Sequence, residues 1–337
     1  MRGTIWTAAI AVAASAAFGA PAGADEVVLK FATLDSPHAH LNANIHHPWA
    51  KKLTEDGKGV LKIDVRDGPA VANHGNVYSR VVDDVVQMGW GLPTYAGGKF
   101  KLIEVVGLPF IGEWSEAAST ALWRLYKSGA LDSEFDEVMP LKLIVFPQSG
   151  MQYRAEPKTL DNLDGLKIIA SNKMTSRMVG AMGGAALSFR VNEMYEALQR
   201  GLADGVMIGW TAFQPFKLAE VTRYHVEITL GGSPGYVFMN RKKFAGLPEP
   251  ARKLIEANSG ERASRDFGKF WDGIHKFTAQ QVRKLDSHTV VTAKPDMVAK
   301  WRARISPLTE KWIAETPGGD KVFATYKKLL ADIAAGS

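Results

Sequence analysis

The sequence predicts an α/β fold of two domains, with parallel strands joined by crossover helices. Three observations carry this. Short apolar runs of strand length alternate with segments of helical period. The runs stop at clusters of Gly, Pro, Asp and Asn, the residues that turn a chain. The chain is 337 residues long, the size of two ordinary domains. A repeated strand–helix–strand order implies a parallel sheet covered by helices.

The elements follow in order. Residues 27–33 form an apolar run ending at Asp35-Ser36-Pro37 and read as a buried strand. A helix carrying Trp49 follows and breaks at Asp56-Gly57-Lys58-Gly59. Residues 60–65 alternate as a strand. Residues 76–86 read as a helix with Val77, Val81, Val82 and Val85 on one face, and Met88-Gly89-Trp90-Gly91 as a short strand. Residues 115–127 form an amphipathic helix, and residues 141–146 a strand that leads into the next domain. Further strands cover 166–170, 186–189 and 206–210, with a helix opening near Asn192 as its N-cap. Residues 236–240 are another apolar strand. Pro248 and Pro250 open one long helix reaching Leu285, with Trp271, Ile274, Phe277, Gln281 and Leu285 along it. Residues 297–335 read as helices packed by Trp301, Ile305, Leu308, Trp312 and Ile313.

The N-terminus has the form of an export signal. Arg2 precedes an apolar run from Ile5 to Phe18, and Ala22-Gly23-Ala24 gives a small-x-small cleavage pattern, so residues 1–24 leave and the mature chain begins near Asp25. The run is shorter than the roughly 20 residues a spanning helix needs. Location in the periplasm follows. Cysteine is absent, so an exported chain of this type relies on its core alone. The formal charge of +6 is spread along the chain without a dense basic block, which argues against nucleic acid as a partner. Thiol chemistry, a phosphate loop and a His-Glu-x-x-His pattern are all missing from the sequence, so it supports no enzymatic reading and no cofactor.

Two stretches are the most informative. The first is Thr159-Leu160-Asp161-Asn162-Leu163-Asp164-Gly165-Leu166-Lys167-Ile168-Ile169; the second runs from Glu193-Met194-Tyr195-Glu196-Ala197-Leu198 to Asp204-Gly205. In that order, together with Leu29-Lys30-Phe31-Ala32-Thr33, Ser36-Pro37-His38, Leu108-Pro109-Phe110 and Val237-Phe238-Met239-Asn240, they resemble the solute-binding subunits of TRAP (tripartite ATP-independent periplasmic) transporters of the C4-dicarboxylate type. The resemblance covers nearly the whole mature chain. It implies the type II periplasmic-binding fold, two α/β lobes around a ligand cleft with a long lobe-spanning helix. The lobes would be discontinuous: 25–147 plus about 232–275, and 148–231 plus about 276–337. It also implies a membrane permease as partner, hinge closure over a small organic acid, and no cofactor. In the family the first stretch usually ends in an arginine that pairs with the solute's carboxylate. Here that position is Ile169.

A buried carboxylate needs a replacement cation and hydrogen bonds. Arg154 and Arg190 are the preferred substitutes for the missing arginine, with Arg177 a third. Strand ends facing the cleft are where ligands sit in open α/β sheets. Four places qualify: residues 35–40; residues 90–95; residues 148–154; and the group formed by 169–172, 188–192 and 208–210. Trp90, Tyr95, Phe189, Trp210 and Tyr236 would supply aromatic surface, Gln152 and Asn172 polar contacts, and His38 a contact from the opening loop. This pattern suits an aromatic or cyclic acid held by Arg154 or Arg190. It also suits a neutral or heterocyclic solute without a carboxylate. The organic acid is preferred because the resemblance and the surviving arginines agree. A further alternative is a metal site built from His38, His40, His46 and His47.

Overall fold

The computed structural model describes residues 26–147 and 150–336. The export-signal reading for residues 1–24, with its cleavage point at Ala24-Asp25, lies outside the described residues, as do Gln148 and Ser149. The strands, in chain order, are β1 (Val27–Ala32), β2 (Leu61–Arg66), β3 (Met88–Gly91), β4 (Val138–Pro147), β5 (Met151–Tyr153), β6 (Lys167–Ala170), β7 (Ala185–Ser188), β8 (Gly205–Met207), β9 (Tyr224–Glu227), β10 (Gly232–Asn240) and β11 (Thr289–Thr292). They form two sheets, ordered β2-β1-β3-β10-β4 and β11-β9-β5-β8-β6-β7.

The expected parallel pairing holds for β1 with β2 and β3, and for β6 with β7 and β8. Each sheet also carries an antiparallel strand, which the sequence reading did not foresee. β10 runs against β3 and β4, and β5 runs against β8 and β9. The reason is the path of the chain. β5 follows β4 directly and β10 follows β9 directly, each in the other sheet, so each enters its new sheet from the cleft edge and runs against its neighbours. β4 and β10 are buried almost throughout, as strands covered on both faces must be.

The long helix is two helices. Glu249–Ala257 stops at Asn258-Ser259-Gly260, and Glu261–Arg283 starts afresh. Gly260 has φ +95° and its N–H donates to the Leu141 carbonyl at 2.8 Å, so the chain turns there instead of propagating. The second helix is the lobe-spanning one. Ser264, Gly268 and Asp272 lie at four-residue spacing on one buried face of it. Ser264 Oγ accepts from Leu143 N–H at 3.0 Å, and the Asp272 carboxylate accepts from Ser115 N–H and Glu116 N–H at 2.8 and 2.9 Å, capping the Ser115–Lys127 helix. Its far end enters a separate core with Ala279 and Val282 beside Ile169, Met194 and Trp210. One helix is thereby fastened to both sheets. The Gly319–Ala334 helix packs back on the Ser115–Lys127 helix, where Tyr326 OH donates to the Ala118 carbonyl at 3.1 Å. Other boundaries also move: the 141–146 and 236–240 strands lengthen to Val138–Pro147 and Gly232–Asn240. The 76–86 helix is only Val77–Val82, because Asp84 adopts φ +56°, and the 206–210 strand ends at Met207.

Candidate functional site

The carboxyl ends of the parallel strands in both sheets face one cleft, which encloses about 120 Å³. From the first sheet, the loop after β1 contributes Asp35 and His40, β3 contributes Trp90, and the following turn contributes Thr94 and Tyr95. Phe146 comes from the end of β4, and His74 from the loop after β2. From the second sheet, Ser171 follows β6, Val191 follows β7, and Ile208, Gly209 and Thr211 follow β8. Trp271, on the Glu261–Arg283 helix, lines the same space.

The first wall is a continuous aromatic surface. Trp90 and Phe146 meet edge to face at 5.7 Å, and Phe146 meets Trp271 likewise at 5.4 Å. Against this surface stand polar atoms that the protein does not satisfy. Trp271 Nε1, Tyr95 OH and His74 Nδ1 are buried and lack a hydrogen-bond partner. The Tyr95 oxygen approaches the Val191 amide without meeting hydrogen-bond geometry. Unmade hydrogen bonds at buried groups cost about 1–3 kcal/mol each, so a cleft that leaves three open is arranged to have them filled.

Charge in the cleft is sparse. Burial, and then the neighbouring Arg190 charge, pushes the His74 imidazole down to about 4, so it is neutral at pH 7. Burial pushes the Asp35 carboxyl up to about 6, partly opposed by the hydrogen bond that Trp90 Nε1 donates to it at 3.3 Å. Arg190 stands at the mouth on the second-sheet side, next to the cleft residue Val191, and its guanidinium lies against Gly75 of the first-sheet side. Its side chain is 58% exposed and its ion pair with Glu193 is loose, at 3.9 Å.

Several expected site residues lie elsewhere. Trp90 and Tyr95 are in the wall, and Arg190 is at its rim. Arg154 is not near the cleft. β5 is antiparallel, so Tyr153 pairs with Gly205 at the start of β8, and Arg154 N–H bonds the Asp204 carbonyl at the opposite edge of the sheet. Arg177 pairs with Glu315 on the surface at 2.5 Å. Ile169 is fully buried in the second core, so no cation occupies the family's arginine position. Trp210 is also core: it is fully buried, with Nε1 donating to Glu227 at 3.1 Å and its ring 4.7 Å from Phe213. Phe189 packs half-buried on the same core. Tyr236 is sealed inside the first lobe, stacked on Phe238 at 4.0 Å. Asn172 is the N-cap of the Lys173–Ala181 helix in a reciprocal capping box with Thr175.

Gln152 acts from behind the wall. Its Nε2 donates to the Ile208 carbonyl at 3.0 Å while its Oε1 accepts from His225 Nδ1 at 2.8 Å, which holds the cleft residue Ile208 in place. The histidines of the opening segment diverge. His38 is exposed, His40 lines the cleft, His46 is fully buried, and His47 bonds Asp67 at 2.8 Å. Among the described residues no group of three or more His, Cys, Asp or Glu is placed to hold a metal ion. His74, Phe146 and Trp271 were missed as site residues. Trp271 shows helical spacing that reads as core, and His74 lies in a loop without any local signal. Phe146 could have been found, because it ends a strand.

The profile of the family described as bacterial extracellular solute-binding protein, family 7, matches residues 32–316. The chain belongs to the TRAP-transporter solute-binding proteins. Among solved structures, a TRAP solute-binding protein from Rhodoferax ferrireducens, in complex with copurified benzoate, superposes with a TM-score of 0.85. It is 25% identical, and the match covers 92% of this chain and 99% of that one. A TRAP periplasmic solute-binding protein from Bordetella bronchiseptica, with bound mandelate, has a TM-score of 0.81 at 23% identity over 91% and 99% of the two chains, a likeness of fold. Among curated relatives, an outer membrane transporter protein, TsaT, from Comamonas testosteroni is 27% identical over 83% of each chain. The two sheets, the two crossings and the helix fastened to both are thus the two-lobed architecture of TRAP solute-binding proteins, with the cleft where the sequence resemblance placed it.

Proposed function

We propose that this TRAP solute-binding protein is the periplasmic receptor for a small aromatic or cyclic monocarboxylic acid, which it delivers to the membrane permease subunits of its transporter. One observation carries the reading: an apolar aromatic wall stands beside three buried polar atoms without partners, His74 Nδ1, Tyr95 OH and Trp271 Nε1. A flat ring fills the wall, and a carboxylate accepts from the tyrosine and indole donors. Arg190 then supplies charge from the rim in place of the arginine absent at Ile169. The benzoate found in the Rhodoferax ferrireducens structure supports the same class of solute. In this reading the lobes are 25–147 with about 232–275 and 148–231 with about 276–337, the last helix packing back on the Ser115–Lys127 helix of the first lobe. Closure brings Arg190 and Val191 onto His74 and Tyr95. Export, with loss of residues 1–24, places the receptor outside the cytoplasm.

The test is a thermal-shift and calorimetry series on the mature protein with benzoate, 3-hydroxybenzoate, succinate and neutral benzamide. A ligand at about a hundred times its dissociation constant adds about 2.7 kcal/mol of stability. The aromatic acids should produce that shift, and benzamide should not. Arg190→Ala should weaken benzoate about tenfold, or 1.4 kcal/mol, with unfolding unchanged. Binding of benzamide as tight as benzoate would discard the carboxylate reading.

The pH dependence follows from Asp35, which faces the same cleft. Below about pH 6 its carboxyl is protonated; above, it carries a negative charge that opposes a bound acid. Affinity for benzoate should therefore fall as pH rises from 5 to 7.5, by about tenfold for one pKa unit of interaction. Asp35→Asn should flatten the profile. Equal slopes in the two proteins would show that Asp35 and the solute do not interact.

A further inference from the structure

Away from the cleft, a second cavity of about 600 Å³ opens between the His47–Asp56, Glu249–Ala257 and Glu261–Arg283 helices. Lys142 of β4 lines it. The residue is only 4% exposed, and its Nζ sits 4.4 Å from the centre of the Trp49 ring. Among the described residues, no carboxylate pairs with it and no hydrogen bond reaches its ammonium. The two acids on the cavity wall are engaged elsewhere: Asp56 with Lys52, and Asp266 with Arg262 at 3.7 Å. A second lining residue is also unsatisfied, since Ser259 Oγ is buried without a partner. A lysine buried this deeply without an anion is an incomplete arrangement, because the Trp49 ring face alone does not replace the hydration its ammonium gives up.

The chemistry of the walls defines what completes it. One unmatched positive charge calls for one negative charge. Asp56 and Asp266 border the cavity and disfavour a dianion. Ile45, Leu254 and Phe267 add apolar lining suited to a hydrocarbon tail. We propose that this cavity is a second binding site for a small monocarboxylate with an apolar tail, in which Lys142 provides the counter-charge and Ser259 a hydroxyl donor. The site is separate from the cleft and does not rest on what the cleft binds.

Protons add a signature. Burial pushes the Lys142 ammonium down to about 7; Asp266 raises it slightly. Besides Asp266, the charged and titratable groups nearest the cavity are Lys52 and Asp56 on one helix and Arg262 on the other, with His46 adjoining Lys142 from inside the core. Above pH 7 the amine is largely neutral, and a bound carboxylate holds it protonated. Binding at about pH 8 should therefore take up close to one proton for each acid bound.

Butyrate is the probe, titrated by calorimetry into the mature protein in two buffers of different ionisation enthalpy, with the cleft challenged by excess benzoate. The expected result is butyrate binding that persists with benzoate present and in Arg190→Ala, with proton uptake at pH 8. It should weaken about tenfold in Lys142→Met, the loss of a charge-assisted bond. Ser259→Ala should weaken it less, and serves as the second variant if Lys142→Met does not fold. Butylamine should not compete. Butyrate binding that benzoate abolishes, that survives Lys142→Met unchanged, or that proceeds without proton uptake would overturn the proposal, as would absence of binding at millimolar butyrate.

Discussion

Gly268→Ala should destabilise the protein by about 1–3 kcal/mol, the usual range for overpacking, despite the better helix propensity of alanine. A Cβ at Gly268 would stand 2.6 Å from the Ser115 carbonyl oxygen and 2.7 Å from Glu116 Cα. Both are backbone atoms, so no rotamer change relieves the overlap and the two helices must separate. Separation also pulls Asp272 away from the amides of Ser115 and Glu116 that it caps. Gly273 on the same helix is the control. It is exposed, and a Cβ there meets nothing within 4 Å. Gly273→Ala should stabilise by up to about 1 kcal/mol, the propensity gain alone. Urea unfolding of both variants decides the matter. If Gly268→Ala were as stable as Gly273→Ala, the close crossing of the Ser115–Lys127 and Glu261–Arg283 helices would not exist in solution.

Lys142→Met should raise stability near pH 7 by several kcal/mol. The folded ammonium titrates at about 7 against an ordinary 10.5. Each pKa unit is about 1.4 kcal/mol, so burying this charge costs on the order of 4 kcal/mol at neutral pH. The sign is set by proton binding. Between pH 7 and 10.5 the unfolded chain holds the proton and the folded chain has shed it, so wild-type stability rises with pH across that window. Methionine carries no charge and fits a similar volume, so the variant lacks this rise. Buried Tyr153, Tyr236 and Tyr326 resist ionisation and lower stability at still higher pH, but they do so equally in both proteins. The difference between the two unfolding profiles isolates Lys142. It should shrink from pH 7 towards pH 10; a difference that stays constant would mean the amine is not perturbed.

The site was only partly legible in the sequence. Trp90 and Tyr95 were found because they follow a short apolar strand, and strand ends face clefts in folds of this type. The same rule misplaced Arg154, since it assumes parallel strands and β5 runs the other way. Trp210 follows β8 yet is fully buried, and Tyr236, expected to open a strand, lies in the middle of β10 and is buried too, because a side chain's position along a strand does not say which face it takes. Trp271 shows the opposite failure. Its helical spacing identifies a buried residue, and it is only 6% exposed, but what it is buried against is the solute cleft.

The sequence by itself determined the family, the alternation of strands and helices, the two-lobed class, and the loss of the usual arginine at Ile169. These are properties of local pattern and motif order, and they need no knowledge of which segments meet. Tertiary structure alone decided that His74, Tyr95, Phe146 and Trp271 share one cleft, that Arg190 reaches across to Gly75, and that Lys142 lines a separate cavity without a counter-ion. The physical reason is the double crossing of the chain. It reverses β5 and β10 and sets residues more than a hundred positions apart side by side, and burial, pairing and charge compensation are properties of those neighbours and not of the residues themselves.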